Sequence, residues 1–250
     1  MAAGLSRSTK GKGMLGAVIF DFDGVIVDDE GLHLAGFRHA LLSLGMEISD
    51  EDYYQRYVGY DDRDGFTVIF RDRGVSLDEE ALLGLMADKA AEFERLAAGG
   101  ARLFDGVEEL ISALAEAGVP LAIGSGALGN EIRMVLAQSG LADRFEVIVS
   151  AEDVSAGKPD PETYDRARRL LQKGAGREAG AGIAAENCVV IEDTTAGLAS
   201  ARSAGMHTLA VTNTFAAASL DADLVVDSLA DVSVETLRGL LDRAGDKGRG

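Results

Sequence analysis

A short apolar run that ends in two aspartates places the first constraint on the fold. Residues 15–20 are apolar apart from one glycine, and Asp21, Phe22, Asp23 and Gly24 follow at once. An apolar run that stops in a turn is typical of a buried strand. Open α/β sheets bind ligands in the crevice beyond the carboxyl ends of their strands. The pattern therefore predicts two carboxylates at a ligand-binding edge, where one can attack an electrophile or hold a metal and the other can move a proton.

Beyond residue 105, short apolar runs alternate with segments of helical periodicity. The predicted strands are 119–123, 147–149, 188–191, 207–211 and 224–226, and the predicted helices are 107–117, 131–138, 161–171, 196–204 and 234–241. Repeated β-α units imply a parallel sheet that is covered on both faces. We therefore predict an α/β, Rossmann-like core that consists of residues 14–28 and 100–243. The glycine-rich stretch 174–185 follows no strand, so it is not a dinucleotide fingerprint, and its role stays open.

Residues 29–99 have a different pattern from the rest of the chain. Their apolar side chains recur at helical spacing and form no convincing strand, which predicts a helical cap inserted after the first strand. Residues 1–13 are small, polar and basic and lack the apolar stretch of a secretory signal, so we expect a disordered tail.

Charge and composition exclude several classes of function. The formal net charge is −18, with 24 basic and 42 acidic residues. This charge disfavours nucleic acids and anionic membranes as partners. The chain contains no run of about 18 apolar residues, so no membrane span is expected. The single cysteine, Cys188, lies in an apolar run and is predicted to be a core residue. We expect a cytoplasmic protein and favour a monomer.

Three further strand ends carry polar groups suited to the same crevice. Ser125 and Gly126 follow one predicted strand, where a hydroxyl and a backbone N–H can bind a phosphate oxygen or simply begin a helix. Lys158 lies in a loop stiffened by two prolines, so it is either an anion-binding cation or a solvated surface lysine. Glu192 and Asp193 end another strand, where capping of the next helix is the alternative role.

If these strand ends meet, four carboxylates share one crevice. Asp21, Asp23, Glu192 and Asp193 cannot all stay ionised without positive charge beside them. Lys158 supplies one such charge. A hard divalent cation with oxygen ligands supplies the rest, and Mg²⁺ is the natural candidate.

The ordered set of motifs resembles one large enzyme family. Asp21-Phe22-Asp23-Gly24, then Ser125, Lys158 and Glu192-Asp193, are similar to the four motifs of the haloacid dehalogenase superfamily of phosphatases and phosphomutases. The predicted insertion at 29–99 resembles the small α-helical cap of that superfamily. Its β-phosphoglucomutase-like and sugar-phosphate phosphatase branch is the most similar part.

This resemblance implies a role for each motif residue. Asp21 is expected to attack phosphorus and form an aspartyl-phosphate, while Asp23 protonates the leaving oxygen and later activates water. Ser125 and the N–H of Gly126 are expected to hold the transferring phosphoryl group, and Lys158 to bridge it to the nucleophile.

The resemblance also implies a metal site and Mg²⁺ as the cofactor. Its expected ligands are Asp21, the backbone carbonyl of Asp23, Asp193 and Glu192. Family members differ in whether the acid at the position of Glu192 binds directly or through water, so both arrangements stay open.

The cap is expected to select the substrate by closing over the cleft. His33 matches a substrate-facing histidine of the branch, with a packing role as the alternative. Lys89 matches a lysine that reaches into the cleft, with an exposed helix lysine as the alternative. Gly59 resembles the start of the family's specificity loop.

The specificity loop departs from the mutase pattern. Mutases place a phosphate-binding arginine just after that glycine, whereas here Asp61 and Asp62 intervene and Arg63 is displaced. We keep Arg63 as a substrate-binding candidate. For the acidic residues Asp61, Asp62 and Asp64 we favour a solvated loop.

The leading functional hypothesis is an Mg²⁺-dependent phosphatase that acts on a small phosphorylated metabolite, with a sugar phosphate favoured. A β-phosphoglucomutase-type isomerase, which returns the phosphoryl group to a bisphosphate intermediate, is the alternative. A catalytically silent phosphate-binding module is a remote third. Dehalogenation at carbon needs neither Asp23 nor the pair Glu192-Asp193, so it is disfavoured. The particular substrate is not specified by the sequence.

Overall fold

The computed structural model describes residues 14–174 and 182–247. The predicted tail at 1–13 and most of the glycine-rich loop lie outside the described residues. In chain order the main elements are β1 (Ala17–Phe20), β2 (Val27–Asp28), α1 (Glu30–Leu42), α2 (Asp50–Asp52), the π-helical turn Tyr53–Tyr57, α3 (Asp62–Asp72), α4 (Glu79–Ala97), β3 (Arg102–Leu103), α5 (Val107–Glu116), β4 (Leu121–Gly124), α6 (Gly129–Ser139), β5 (Val147–Val149), α7 (Glu162–Lys173), β6 (Cys188–Glu192), α8 (Thr195–Ser203), β7 (His207–Val211), β8 (Leu224–Val226) and α9 (Val234–Lys247).

The main sheet is parallel and has the strand order β5-β4-β1-β6-β7-β8. From β1 the chain first builds outward through β4 and β5, and then outward on the other side through β6, β7 and β8. The reversal places a crevice at the carboxyl end of β1, between β4 and β6. The predicted α/β fold with a parallel sheet and an inserted helical segment is confirmed.

Burial of β1 on both faces explains its uninterrupted apolar sequence. Val18 and Phe20 pack in the hydrophobic cluster under α5, α6 and α9, whereas Ala17 and Ile19 pack in the cluster under α7 and α8. All four side chains are fully buried. Cys188 belongs to the second cluster, which confirms its predicted place in the core.

The segment between β2 and β3, which we call the cap, is helical and has its own hydrophobic cluster. Phe37 of α1 packs on Phe66 of α3 with ring centroids 4.8 Å apart, and Leu82 and Leu85 of α4 belong to the same cluster. β2 and β3 pair as antiparallel strands where the chain leaves and re-enters the core. The sequence did not predict this ladder, because two-residue strands are too short to show periodicity.

Among the described residues, no helix combines the length and apolar character needed to cross a membrane.

Candidate active site

Asp21, Lys158 and Glu192 form a continuous chain of contacts at the carboxyl end of β1. Lys158 Nζ lies 2.8 Å from Asp21 Oδ2 and 2.8 Å from Glu192 Oε1. The other Asp21 oxygen, Oδ1, accepts a 2.7 Å hydrogen bond from the N–H of Phe22. Burial lowers the pKa of Lys158, but the Asp21 and Glu192 carboxylates outweigh it and the net shift is upward. Lys158 is therefore a fixed ammonium beside the Asp21 carboxylate, and the solvated-surface alternative is wrong.

Glu192 has its lone pairs already occupied. Its Oε1 accepts from Lys158 and from the Tyr164 hydroxyl at 2.9 Å. Its Oε2 accepts from the N–H groups of Asp193 and Thr194 and from the Thr194 hydroxyl, at 2.8, 2.7 and 2.8 Å. Burial raises the pKa of Glu192, but the Lys158 ammonium outweighs it and the pKa falls to about 2. A carboxylate has about four lone-pair sites, so direct metal binding by Glu192 requires the loss of an existing hydrogen bond.

The first turn of α8 is shaped around the Glu192 carboxylate. A Cβ on Gly197 would lie 1.6 Å from Glu192 Oε1, which no side chain can do. Thr194 caps this helix by accepting from the N–H of Gly197 at 3.0 Å, so the cap is not the Asp193 considered from the sequence.

Substitution of Gly197 by alanine tests whether Glu192 orients Lys158. The added methyl group must displace the Glu192 carboxylate, so we expect activity to fall about 10²-fold, the cost of a misplacement near 1 Å. We also expect the free energy of unfolding to fall by about 1–3 kcal/mol through overpacking. Steady-state kinetics and urea unfolding measure both effects. Gly84→Ala is the matched control, because a Cβ on that exposed α4 glycine meets nothing within 4 Å. Full activity in Gly197→Ala contradicts the role of Glu192.

Asp193 presents the atom that most suggests a cation. Its Oδ2 accepts from the Thr214 hydroxyl, whereas its buried Oδ1 has no hydrogen-bond partner among the residues that the structure describes. Ligand oxygens of Asp21, Glu192 and Asp193 lie within 4.8 Å of one another. Burial, followed by the neighbouring carboxylates, raises the pKa of Asp193. An orphaned oxygen in a crowded set of hard oxygen donors fits Mg²⁺.

Gly24 allows Asp193 to approach β1. It has a left-handed φ of 74°, and a Cβ there would lie 2.0 Å from Asp193 Oδ2. The glycine of the Asp21-Phe22-Asp23-Gly24 motif is therefore required both by its conformation and by the carboxylate packed against it.

A second polar cluster begins at Asp23. His33 Nε2 lies 3.7 Å from Asp23 Oδ1 and 3.6 Å from Asp29 Oδ2. Burial raises the pKa of Asp23, but His33, Lys89 and Asp29 together outweigh burial, and the net shift is downward. Burial, followed by the Asp23 charge, raises the pKa of Asp29 to about 7. Asp23, Asp29, His33, Lys89 and Asp62, which we call the cap-side cluster, lie between the cap and the core.

Lys89 is buried inside the cap, and the exposed-lysine alternative is wrong. Its Nζ lies 2.6 Å from Asp62 Oδ1 and 2.7 Å from His33 Nδ1. The same ammonium lies 5.5 and 5.4 Å from the ring centroids of Phe37 and Phe93. The short N···N contact needs one donor and one acceptor, so a single proton lies between Lys89 Nζ and His33 Nδ1.

The solvated-loop expectation is wrong for Asp61 and Asp62. Asp62 is paired with Lys89, and its side chain is only 15% exposed. Asp61 caps α3 and lies over two loops of the core. A Cβ added to Gly126 would lie 3.7 Å from the Asp61 Cβ, and a Cβ added to Gly157 would lie 3.2 Å from Asp61 Oδ2. Asp64 is exposed, as expected.

The phosphate-binding candidates Ser125 and Gly126 follow β4, the strand beside β1. Ser125 is buried, and its hydroxyl accepts a 3.0 Å hydrogen bond from the N–H of Ala127. Phe20 is in register with Ile123, so Asp21 and Ser125 belong to adjacent strand ends. Gly126 lies opposite Asp61 of the cap, at the mouth of the same crevice.

Arg63 is not part of either cluster. It makes two hydrogen bonds to Glu79, at 3.0 and 2.8 Å, on the exposed surface of the cap. Gly59 does face the core: it has a φ of 83°, and a Cβ there would lie 3.4 Å from Thr194 Cγ2. The structure therefore places Arg63 on the exposed surface of the cap and Asp62 beside the buried Lys89.

Four contributors were missed in the sequence. Asp29 had a usable signal, because it precedes His33 by four residues and shares its helix face. Thr214 follows the strand β7, and its hydroxyl just beyond that strand end is a signal in the sequence. Tyr164 and the buried Glu131 had no local signal, since their roles depend on how α7 and α6 pack.

Comparisons with known proteins show the family and the fold of this chain. The family model described as "Haloacid dehalogenase-like hydrolase" matches residues 18–211. The CbbY protein of Cupriavidus necator is 32% identical over 216 residues, covering 80% of this chain and 80% of its own. A phosphorylated carbohydrates phosphatase of Thermotoga maritima is 28% identical over 191 residues, covering 76% and 82%. The solved β-phosphoglucomutase of Clostridium difficile has a TM-score of 0.81 at 24% identity, covering 93% and 100%.

Proposed function

Because this chain belongs to the haloacid dehalogenase-like hydrolase family, we propose that it is an Mg²⁺-dependent phosphatase of a small phosphorylated metabolite, with a sugar phosphate as the favoured class. The family relatives include both phosphatases and phosphomutases, so the choice between hydrolysis and isomerisation has to rest on this chain's own residues.

The Asp21–Lys158 contact is the observation that carries the proposal. Asp21 is held on one oxygen by the N–H of Phe22 and on the other by the Lys158 ammonium. A carboxylate fixed in this way is oriented for attack, and the adjacent cation attracts and neutralises an incoming phosphoryl group.

In the first half-reaction, an Asp21 oxygen forms a bond to phosphorus as the bond to the leaving oxygen breaks. Asp23 donates its proton to that leaving oxygen. His33 keeps Asp23 ionised in the free enzyme. An anionic phosphoryl group beside Asp23 favours the protonated carboxyl, which prepares it to act as the acid.

In the second half-reaction, Asp23 takes a proton from water. The water oxygen attacks phosphorus, the bond from phosphorus to Asp21 breaks, and inorganic phosphate leaves. Lys158 remains beside the transferring group, and Ser125 with the N–H of Gly126 holds its oxygens. Asp21 and Asp23 then return to their starting states.

Asp21, Asp193 and the backbone carbonyl of Asp23 would hold the metal. Bound Mg²⁺ would neutralise the charge that develops on the phosphoryl oxygens. Glu192 instead stabilises Lys158 and the start of α8, as its saturated hydrogen bonding indicates.

Isomerisation is the weaker candidate because the cap offers no free cation at the positions considered. A mutase must bind the distal phosphate of a bisphosphate. Lys89 is already paired with Asp62, and Arg63 is paired with Glu79 on the exposed surface. These pairs support hydrolysis over return of the phosphoryl group to a sugar.

The proposal is tested by phosphate release from a panel of phosphorylated metabolites, alongside formation of glucose 6-phosphate from β-glucose 1-phosphate. We expect release of free phosphate from at least one compound. Conversion to glucose 6-phosphate with little free phosphate makes the chain a mutase. A folded protein with neither activity is the silent binding module.

Removal of the divalent cation is expected to abolish phosphate release. Without it, the Asp21 and Asp193 carboxylates repel the substrate and each other; burial is the main cause of the raised pKa of Asp193, and the charges of Glu192 and Asp21 add to it. Dialysis against EDTA followed by Mg²⁺ titration measures loss and recovery. Mg²⁺ should also raise the melting temperature, because it binds only the folded state. Full activity after chelation contradicts the metal assignment.

A further inference from the structure

Unpaired buried polar atoms gather between the cap and the core. Asp23 Oδ1, both oxygens of Asp29, His33 Nε2 and Glu131 Oε1 have no hydrogen-bond partner among the residues that the structure describes. Asp29 and Glu131 are each only 1% exposed. Four of these five atoms are carboxylate oxygens, which are acceptors when ionised. Buried acceptors of this kind are costly unless a donor satisfies them.

Glu131 belongs electrostatically to the cap-side cluster although it lies on α6 of the core. Burial raises its pKa to about 7, the charges of Lys89 and His33 oppose that shift, and those of Asp62 and Asp23 add to it. Glu131 Oε2 accepts a 3.4 Å hydrogen bond from the N–H of Leu128, and the unpaired Oε1 is within reach of the same charges as the cap residues. The cap and the core both contribute acids to one region.

The cations of this region are already neutralised. Lys89 is paired with Asp62 and hydrogen-bonded to His33, and Lys158 is shared by Asp21 and Glu192. Lys158 is also committed to the transferring phosphoryl group in the proposed mechanism. Neither lysine is left to bind a second anion.

Asp61 adds negative charge on the cap side of the phosphoryl-binding loops. Its Oδ2 would lie 3.2 Å from a Cβ on Gly157, the neighbour of Lys158. Burial, followed by the nearby acids Asp64 and Asp62, leaves its pKa raised. A second anionic group beneath the cap would therefore be repelled by Asp61 where it lies against Gly126 and Gly157.

We propose that the space between cap and core accepts a leaving group that is neutral or cationic and rich in hydrogen-bond donors, and rejects one that carries a second anionic group. Hydroxyl and ammonium groups supply the donors that Asp29 and Glu131 lack, whereas a phosphate or carboxylate supplies acceptors and charge of the wrong sign. This inference deepens the proposed function and rests on it.

The test uses p-nitrophenyl phosphate as a reporter, since its aromatic leaving group has neither donors nor a second charge. Glucosamine 6-phosphate, glucose 6-phosphate, 6-phosphogluconate and fructose 1,6-bisphosphate each compete with the reporter, so binding is measured even without turnover. We expect the amine and hydroxyl compounds to bind at least about tenfold more tightly than the two compounds with a second anion.

The variant Asp62→Asn tests whether the cap causes the preference against a second anionic group. It frees Lys89, so the preference for the first pair of compounds should shrink about tenfold or more, with each inhibition constant measured against reporter hydrolysis by the same variant. Asp64→Asn is the matched control, because it removes the same charge from an exposed position on the same turn, and it should leave the preference unchanged.

Three results overturn the inference. One is that the wild type binds fructose 1,6-bisphosphate as tightly as it binds glucosamine 6-phosphate and glucose 6-phosphate. Failure to bind any of the three compounds counts as the same result. Another is an unchanged preference in a folded Asp62→Asn variant. The third is absence of phosphate release from the reporter and from every metabolite of the panel by the folded wild type with Mg²⁺. This third result overturns the proposed function as well, whereas the first two overturn only this inference.

Discussion

Asp21→Asn is expected to abolish turnover, with a loss on the order of 10⁴-fold or more, while the fold is kept or becomes more stable. The amide is nearly isosteric but is neutral and cannot form the acyl phosphate. Burial, reinforced by Glu192, raises the pKa of Asp21 against the opposing Lys158, so the ionised carboxylate is strained in the folded state. A neutral side chain relieves that strain. Phosphate release and thermal unfolding, measured on the same sample, check both parts.

Asp193→Asn is the matched comparison for Asp21→Asn. Asp193 is assigned to the metal and not to attack, so its loss should be partly recovered at high Mg²⁺, whereas Asp21→Asn should not recover at any concentration. Acid quenching during turnover of a radiolabelled substrate should trap phosphate on the wild type and not on Asp21→Asn. Phosphorylated Asp21→Asn protein contradicts the assignment of the nucleophile.

Asp23→Asn is expected to slow hydrolysis of an alkyl phosphate by about 10²–10⁴-fold, the usual contribution of a general acid–base group. The effect should depend on the leaving group. Nitrophenolate leaves without a proton, so the first turnover of p-nitrophenyl phosphate should survive while hydrolysis of the aspartyl-phosphate slows. Rapid mixing should then show a burst of nitrophenolate followed by slow steady-state release.

Asp28→Asn controls for loss of an acidic charge near the site. Asp28 is exposed and lies in β2, five residues after Asp23. It should retain wild-type rates on both kinds of substrate. An equal loss for alkyl and nitrophenyl phosphates in Asp23→Asn, without a burst, contradicts the acid–base role.

The part of the site at the strand ends could be predicted, because the direction of each parallel strand determines at which edge of the sheet it ends. Parallel strands end at one edge, so Asp21, Lys158 and Asp193 had to approach one another once the alternating β-α pattern was recognised. The role of Glu192 was less predictable. Its spacing suggested a metal ligand, but its hydrogen bonds to Tyr164 and Thr194 depend on how α7 and α8 pack on the sheet.

The cap could not be predicted at the same level. Consecutive residues on a helix point about 100° apart, so a small error in where α3 begins exchanges Asp62 for Arg63 as the residue turned toward Lys89. The Lys89–His33 contact joins residues 56 positions apart in the sequence. Only the packing of α4 on α1 brings them together, and no local pattern records it.

The acidic composition has a local counterpart in the active site. The net charge of −18 raised the question of how an anionic substrate could bind. At the carboxyl end of β1, Lys158 and the proposed Mg²⁺ supply attraction where the phosphoryl group binds. The cap-side cluster does not, because its acids outnumber its cations. The site therefore attracts negative charge only where the reacting phosphoryl group binds.

The antiparallel pair of β2 and β3 places both crossings of the chain, into the cap and out of it, side by side. The backbone therefore connects the core to the whole insertion at one narrow attachment, the two-stranded ladder. A different cap could therefore replace this one if its two ends also pair as β2 and β3 do. The catalytic residues at the carboxyl ends of the main-sheet strands would stay in place. Substrate range can then diverge by replacing one module while the catalytic residues stay constant.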